Sequence, residues 1–243
     1  MTDRKIAVNG KISFAKFVDR PNRFLVNLVP ENKKQTEPAF LHDPGRMKEL
    51  LTPNVRLLIR EPISLENRKT KWDILAVEHK GVLVTIKSSL PNLVAKTALT
   101  NKWIPELSEY DSVRPEITVG KSRLDFLLEK DSQKCYVETK GVTLVKDGRA
   151  LFPDAPTERG TRHLKELQKL KEEGYRAVVL FMCMRDDPEV FSPNNVTDKK
   201  FSDQLTIADK SGVEILVYKV KPIIQDEQLI FLFKNRIKVE LND

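Results

Sequence analysis

The chain has 243 residues, 40 % apolar and 32 % charged, with a net charge of +7. That length suits one large domain or two small ones, with enough apolar residues for a real core. No apolar run reaches the ~18 residues of a membrane span, and the opening "MTDRKIAVNGKISF" lacks the apolar stretch of a signal peptide, so a cytoplasmic protein that does not engage a membrane is expected.

The first third reads as short strands over 11–18, 23–29, 38–42, 55–61 and 72–78, separated by turn-rich stretches such as "DRPN" and "PENKKQTEP". Between the third and fourth, "HDPGRMKELL" predicts a helix: Asp43 as cap, Pro44 at the first helical position, then Met47, Leu50 and Leu51 at helical spacing. Five strands with a helix in that place is the order of an OB-fold barrel.

After residue 86 the pattern changes. "SLPN" begins a helix carrying Leu93, Val94, Thr97 and Ala98, and strands follow over 122–129 and 134–143. An amphipathic helix spans 156–173, with Leu164, Leu167 and Leu170 on its inner stripe and Gly174 as its stop. "RAVVLFMCM", 176–184, is apolar throughout and fits a strand buried on both faces. A helix near 198–210 leads to a strand over 213–220. Alternating strands and helices imply parallel pairings. The chain thus divides into a domain over 1–86 and an α/β domain over 87–243.

Cys135 and Cys183 have no metal-type spacing and sit in apolar strand-like runs, which suits two buried, reduced thiols. The charge is uneven. Residues 1–86 hold 16 lysines and arginines against 10 aspartates and glutamates, whereas 87–243 hold 26 against 25. A basic module beside a nearly neutral one suits a polyanion partner such as nucleic acid, or is only a basic surface.

"YVETKGVTLV", 136–145, carries Glu138 and Lys140 two apart in a strand-like run, so both point to one face. A two-residue turn at Asp131-Ser132 would set Asp125 opposite Glu138, with Cβ atoms about 4.5–5.5 Å apart. Two carboxylates that close repel, so one takes a proton or a cation joins them. Lys140 supplies one positive charge; Mg²⁺ or Mn²⁺, hard ions that keep several waters, would supply more. Two readings stand. One is a solvated ion pair on a strand face. The other is a phosphodiesterase site, with Asp125 and Glu138 as metal ligands and Lys140 orienting the attacking water or offsetting phosphoryl charge.

The spacing D-x12-E-x-K resembles the PD-(D/E)XK nuclease superfamily, with Leu124 rather than proline before Asp125. A longer resemblance covers most of the chain. "FVDRPNRFLVNLV", "HDPGRMKELL", "SRLDFLL", "YVETKGVTL", "FPDAPTERGTRHLKEL", "RAVVLF" and "GVEILVYK" together resemble the sugar fermentation stimulation protein A (SfsA) family, "FPDAPTERGTRHLKEL" most specifically. That resemblance implies an N-terminal OB-like barrel, a nuclease-like C-terminal α/β domain, and DNA binding without marked sequence preference. It places the nuclease-like motif on Asp125, Glu138 and Lys140. Whether such a protein cuts DNA it does not settle.

"FPDAPTERG" places Arg159, Arg162 and His163 in the first turns of the 156–173 helix, where free N–H groups and cations suit a phosphate. The bland alternative is a proline-led cap and a solvated face. Glu158 is a further ligand or a first-turn acid favoured by the helix dipole. Glu106 reads by default as a surface glutamate, with the upstream helical acid of such a nuclease as the alternative. In the first domain Arg20, Asn22, Arg23 and Phe24 join donors to an aromatic, a mixture suited to backbone contact and base stacking. Arg46 flanks the short helix with His42, which reads as structural. Phe14, Phe17 and Phe24 read equally as barrel core, a reading favoured for Phe14. Asp186 and Asp187 read as a turn. The expectation is a DNA-binding protein with a metal-dependent nuclease-type site. The alternative is a non-catalytic DNA-binding regulator of sugar metabolism. Oligomeric state is open.

Overall fold

The computed structural model describes residues 4–43, 45–62, 64, 68–120 and 122–241. Two compact units divide the chain. The first comprises Met1–Leu90, Met184–Asp187 and Lys221–Leu232, the second Pro91–Cys183, Pro188–Val220 and Phe233–Asp243. Residues 221–232, C-terminal in sequence, therefore pack with the N-terminal unit. No helix among the described residues is long and apolar enough to cross a membrane.

The first unit is built on β1 (Lys5–Ala7), β2 (Ile12–Asp19), β3 (Leu25–Pro30), β4 (Glu37–Phe40), β5 (Arg56–Arg60), β6 (Trp72–His79) and β7 (Val82–Thr85). The order β4-β3-β2-β5-β6-β7, with an added β4–β6 pairing, closes five strands into a barrel. Closure removes the open edges that a flat sheet would leave. Phe17, Val26, Leu28, Leu41, Leu57, Ile59 and Ile74 fill it. Phe14, expected in that core, is half-buried instead and lies under the Arg56 guanidinium at 3.5 Å. Strand alternation explains the split: Phe14 and Phe17 are three apart, so only one can face inward.

The helix expected over "HDPGRMKELL" is absent among the described residues there, and Pro44 lies outside them. A single turn replaces it, with the N–H groups of Leu50 and Leu51 both donating to the Met47 carbonyl. Met47 has φ of 46°, a left-handed conformation that cannot start an α-helix. Met47, Leu50 and Leu51 are still buried in the barrel core, so the apolar spacing serves its packing purpose without the helix.

The second unit begins with α1 (Leu90–Thr100) and a short turn at Pro105–Leu107. Then come β8 (Ser112–Val119), β9 (Ser122–Lys130), β10 (Gln133–Val142), β11 (Leu144–Lys146), β12 (Arg149–Phe152), α2 (Glu158–Glu172), β13 (Arg176–Cys183), β14 (Val190–Pro193), α3 (Lys199–Lys210), β15 (Glu214–Gln225), β16 (Gln228–Arg236) and β17 (Lys238–Val239). β8, β9 and β10 form an antiparallel meander; β10, β13 and β15 are parallel. A smaller sheet runs β11-β12-β14-β17. In α2, Thr157 caps by accepting from Gly160 N, Leu164, Leu167 and Leu170 are buried, and Gly174 stops the helix at φ 92°. Cys135 and Cys183 are both buried, and burial pushes the Cys135 thiol up to about 12, far from a reactive thiolate.

The distal parts of β15 and β16 belong to the first unit. There β16 pairs with β1, Ile6 opposite Phe231, and Ile12 N of β2 donates to Glu227 O at the hairpin tip. In the same unit Asp186 pairs with Lys221 at 2.8 Å and Asp187 with Arg185 at 2.6 Å, so both acids are engaged in ion pairs.

Candidate active site and nucleic-acid surface

Asp131 has φ of 51°, as a tight hairpin turn needs, and β9 and β10 pair from Lys130–Gln133 through Phe126–Val137. That is the register expected. The ladder ends one pair short of Asp125 and Glu138 because the Asp125 side chain takes over a backbone donor: Oδ2 accepts from Thr139 N at 2.8 Å. Asp125 Oδ1 accepts from Asn92 Nδ2 of α1 at 2.8 Å. Both carboxylate oxygens are thus fixed in direction.

Glu138 is 2 % exposed. Its Oε1 accepts from Lys140 Nζ and meets His163 Nδ1 of α2. Arg159 Nε donates to His163 Nε2 at 3.4 Å, so the ring hydrogen sits on Nδ1 and points to Glu138. Oε2 of Glu138 is buried with no hydrogen-bond partner among the described residues. Such an atom is costly unless something pairs with it. Burial, and then the Glu138 charge, push the Asp125 carboxyl above its usual range. Burial would raise Glu138 as well, but the His163 hydrogen bond and Lys140 charge outweigh it and hold Glu138 below its usual range.

A cleft of about 420 Å³ opens on Asp125, lined by Asn92, Leu93, Lys96, Arg123 and Arg159 among others. Asn92, Lys96 and Arg123 are not marked out by any motif in the sequence. Arg123 stands two before Asp125 on one strand, so alternation alone puts it on the same face. Asn92 follows the proline that opens α1, and only the tertiary packing shows that it holds an acid. Gly141 makes the approach possible: a Cβ there would lie 2.6 Å from Pro91 Cγ. Gly141→Ala is expected to push the first turn of α1, and Asn92 with it, off Asp125. Overpacking of this kind costs about 1–3 kcal/mol, read as a lower midpoint in chemical denaturation.

His163, expected to face phosphate, is buried at 2 % exposure and serves Glu138 instead. Arg159 and Arg162 are exposed near the start of α2, and Arg159 reaches the cleft. Glu106 is not an acid of this site. Its Oε2 accepts from Tyr218 Oη at 2.6 Å and Oε1 from Arg236 at 2.8 Å, ties that use both oxygens structurally. No group of three or more His, Cys, Asp or Glu placed to hold a metal occurs among the described residues.

In the first unit, Arg20 is a strut rather than a free cation. Its Nη1 donates to the carbonyls of Gly45 and Arg46, its Nη2 to those of Arg23 and Asp43, at 2.7–3.0 Å. The expected phosphate contact gives way to that role, since its four terminal N–H groups are engaged by backbone. Asn22 also serves the backbone, its Oδ1 accepting from Phe24 N and Leu25 N. The two together set the loop that presents Arg23, Phe24 and Arg46, all exposed. Phe24 stacks on Phe40 with ring centres 6.1 Å apart.

A closed OB barrel in one unit and an α/β unit carrying the Asp125–Glu138–Lys140 set define a two-domain protein. Residues 18–86 match the family model described as SfsA N-terminal OB domain, and 89–225 that described as sugar fermentation stimulation protein RE domain. The chain is 44 % identical over 207 residues to a sugar fermentation stimulation protein homolog of Clostridium novyi, covering 84 % of this chain and 88 % of that one. To the homolog of Moorella thermoacetica it is 43 % identical over 206 residues, with 84 % and 88 % covered. A solved structure of Pyrococcus furiosus SfsA in complex with Ca²⁺ superposes with a TM-score of 0.87 at 28 % identity, over 97 % of this chain and 98 % of that one. The chain belongs to the sugar fermentation stimulation protein A family.

Proposed function

We propose that the protein binds nucleic acid, DNA first, with little sequence preference, and hydrolyses phosphodiesters at the Asp125–Glu138–Lys140 site with a divalent ion. The observation that carries this is the Oε2 of Glu138, buried without a hydrogen-bond partner among the described residues, beside an Asp125 whose carboxyl burial and the Glu138 charge push above its usual range. Both features favour a cation held between hard oxygen donors, and Mg²⁺ or Mn²⁺ fits so small a donor set. The Pyrococcus furiosus relative solved in complex with Ca²⁺, another hard divalent ion, supports this reading. Such an ion, when bound, polarises the phosphodiester and lowers the pKa of an attacking water. The chain's own residues do the rest. Asn92 and Thr139 N aim Asp125, while His163 aims Glu138. Lys140 orients water or offsets phosphoryl charge. Lys96, Arg123 and Arg159 grip phosphates in the cleft.

One observation favours the second reading, a non-catalytic DNA-binding regulator. The Lys140 ammonium is engaged by Glu138, and the described residues offer no third acid or histidine ligand. Incubation of the protein with Mg²⁺ or Mn²⁺ and single-stranded, duplex and branched DNA and RNA decides between them, since only an enzyme gives metal-dependent products. Binding in chelator should weaken steeply and linearly in log K against log salt. Arg23→Ala with Arg46→Ala should reduce that slope by up to about two, alike for unrelated sequences. An unchanged slope would make the basic excess of residues 1–86 mere surface.

A further inference from the structure

Asp73 in β6 is 2 % exposed. Around its carboxylate lie Arg68 at 2.6 Å, Lys87 at 2.9 Å, His42 at 3.2 Å and Arg60 at 3.6 Å. Among the described residues one acid thus faces two arginines, a lysine and a histidine. Buried charges are ordinarily matched, because an unmatched one is costly. Here Arg60 and Lys87 are 6 % and 7 % exposed, and Arg60 Nε is buried without a hydrogen-bond partner among the described residues. Burial, opposed by the pull of Asp73 but reinforced by Arg60 and Arg68, leaves the Lys87 ammonium below the ordinary lysine range. A further anion beside this cluster would relieve the excess.

The cluster has an open side. The Arg68 and His42 side chains keep 24 % and 25 % exposure. Phe40 pairs with Asp73 across β4 and β6, and Asp73 with Arg60 across β6 and β5, so all three share a face. From there the aromatics lead outward. The Phe40 ring meets His42 edge-on at 4.4 Å and lies 5.6 Å beneath the Arg68 guanidinium. It stacks against Phe24, which is 47 % exposed.

We propose that this face is a binding site for single-stranded nucleic acid, taking an unstacked base on Phe24 and the adjoining phosphate on Arg68, with Lys87 and Arg60 behind it. The inference rests on the nucleic-acid reading above and narrows it to strand state. A duplex keeps its bases stacked on one another and offers only phosphates, whereas a single strand offers a free π-face as well. A free phosphate ion would need the cations but not the rings. The site combines both, with the rings on the exposed side.

Anisotropy of a fluorescent oligothymidylate titrated with the full chain, in chelator, tests the site apart from any metal chemistry. The single strand should bind more tightly than a duplex of equal length. Phe24→Ala should weaken single-strand binding about tenfold and leave duplex binding within about twofold. Phe24→Trp, which restores a stacking face, should bind as well as the wild type. Arg68→Gln should lower the salt slope by about one. Phe24 is half-exposed, so its removal leaves the barrel core intact, as a thermal melt would show. Binding that ignores Phe24→Ala, or falls equally on both strand forms, overturns the proposal while leaving nucleic-acid binding in place. So does displacement of the strand by inorganic phosphate with no effect of Phe24→Ala, which would mark a free-anion site. A chain that binds no nucleic acid overturns this proposal and the broader reading together.

Discussion

Glu138→Gln is expected to reduce Mg²⁺- or Mn²⁺-dependent cleavage by at least ~100-fold without unfolding the protein. Glutamine keeps the acceptor that Lys140 and His163 use, and nearly all of the packing. It replaces the unpartnered Oε2 with an amide that carries no charge for a cation. Without metal, nucleic-acid binding should hold or strengthen slightly, because one repelling carboxylate is gone. Lys140→Ala should also abolish cleavage, yet weaken metal-free binding modestly through the loss of a positive charge near the phosphates. The two variants should thus agree in activity and differ in affinity. A gel assay with a parallel binding titration checks both. A wild type that cuts none of the tested nucleic acids, with binding intact and the metal demonstrably bound, would end the catalytic reading and leave the regulator.

Asp73→Asn should unfold the first unit more readily than any surface change. It strands Arg60 and Lys87, both buried, with no other carboxylate pairing them among the described residues. Removing one member of a buried charged set costs about 3–5 kcal/mol, a fall of roughly 10 °C or more in Tm. The pH dependence has a fixed sign. Burial would raise Asp73, but contacts from His42, Lys87 and Arg68 outweigh it and hold the carboxyl well below its usual range. A depressed acid contributes stability that is fully present above its unfolded value, near pH 4, and is lost as pH falls through the folded value. The gap between wild type and variant should therefore be full at neutral pH and narrow only below about pH 4. Denaturant midpoints measured across pH check it, and a gap that peaks in acid would refute the assignment.

Strand alternation and turn chemistry made much of the second unit legible. The hairpin at Asp131-Ser132, its register, and the shared face of Glu138 and Lys140 all follow from local rules. What failed was local patterning that tertiary context overrode. Met47 looked helical because its apolar neighbours recur at helical spacing, but one left-handed residue suffices to block propagation. β8 went unread because "SVRPEITV" carries a proline and two charges, which only a sheet edge tolerates. Arg20 looked like a phosphate contact, for a sequence cannot show that backbone carbonyls have already claimed a guanidinium. His163 was located on the right helix and assigned the wrong neighbour, because the partner lies 25 residues away in a strand.

The return of residues 221–232 to the first unit bears on how the protein can be made and taken apart. A fragment cut at residue 86 would lack the strand that pairs β1 and the carbonyl that receives Ile12. The N-terminal module is therefore not a detachable cassette. On the ribosome it cannot be finished until nearly the whole chain has emerged, so its last contacts form after the second unit's strands have been synthesised. A nascent chain stalled before residue 221 should leave β1 protease-sensitive.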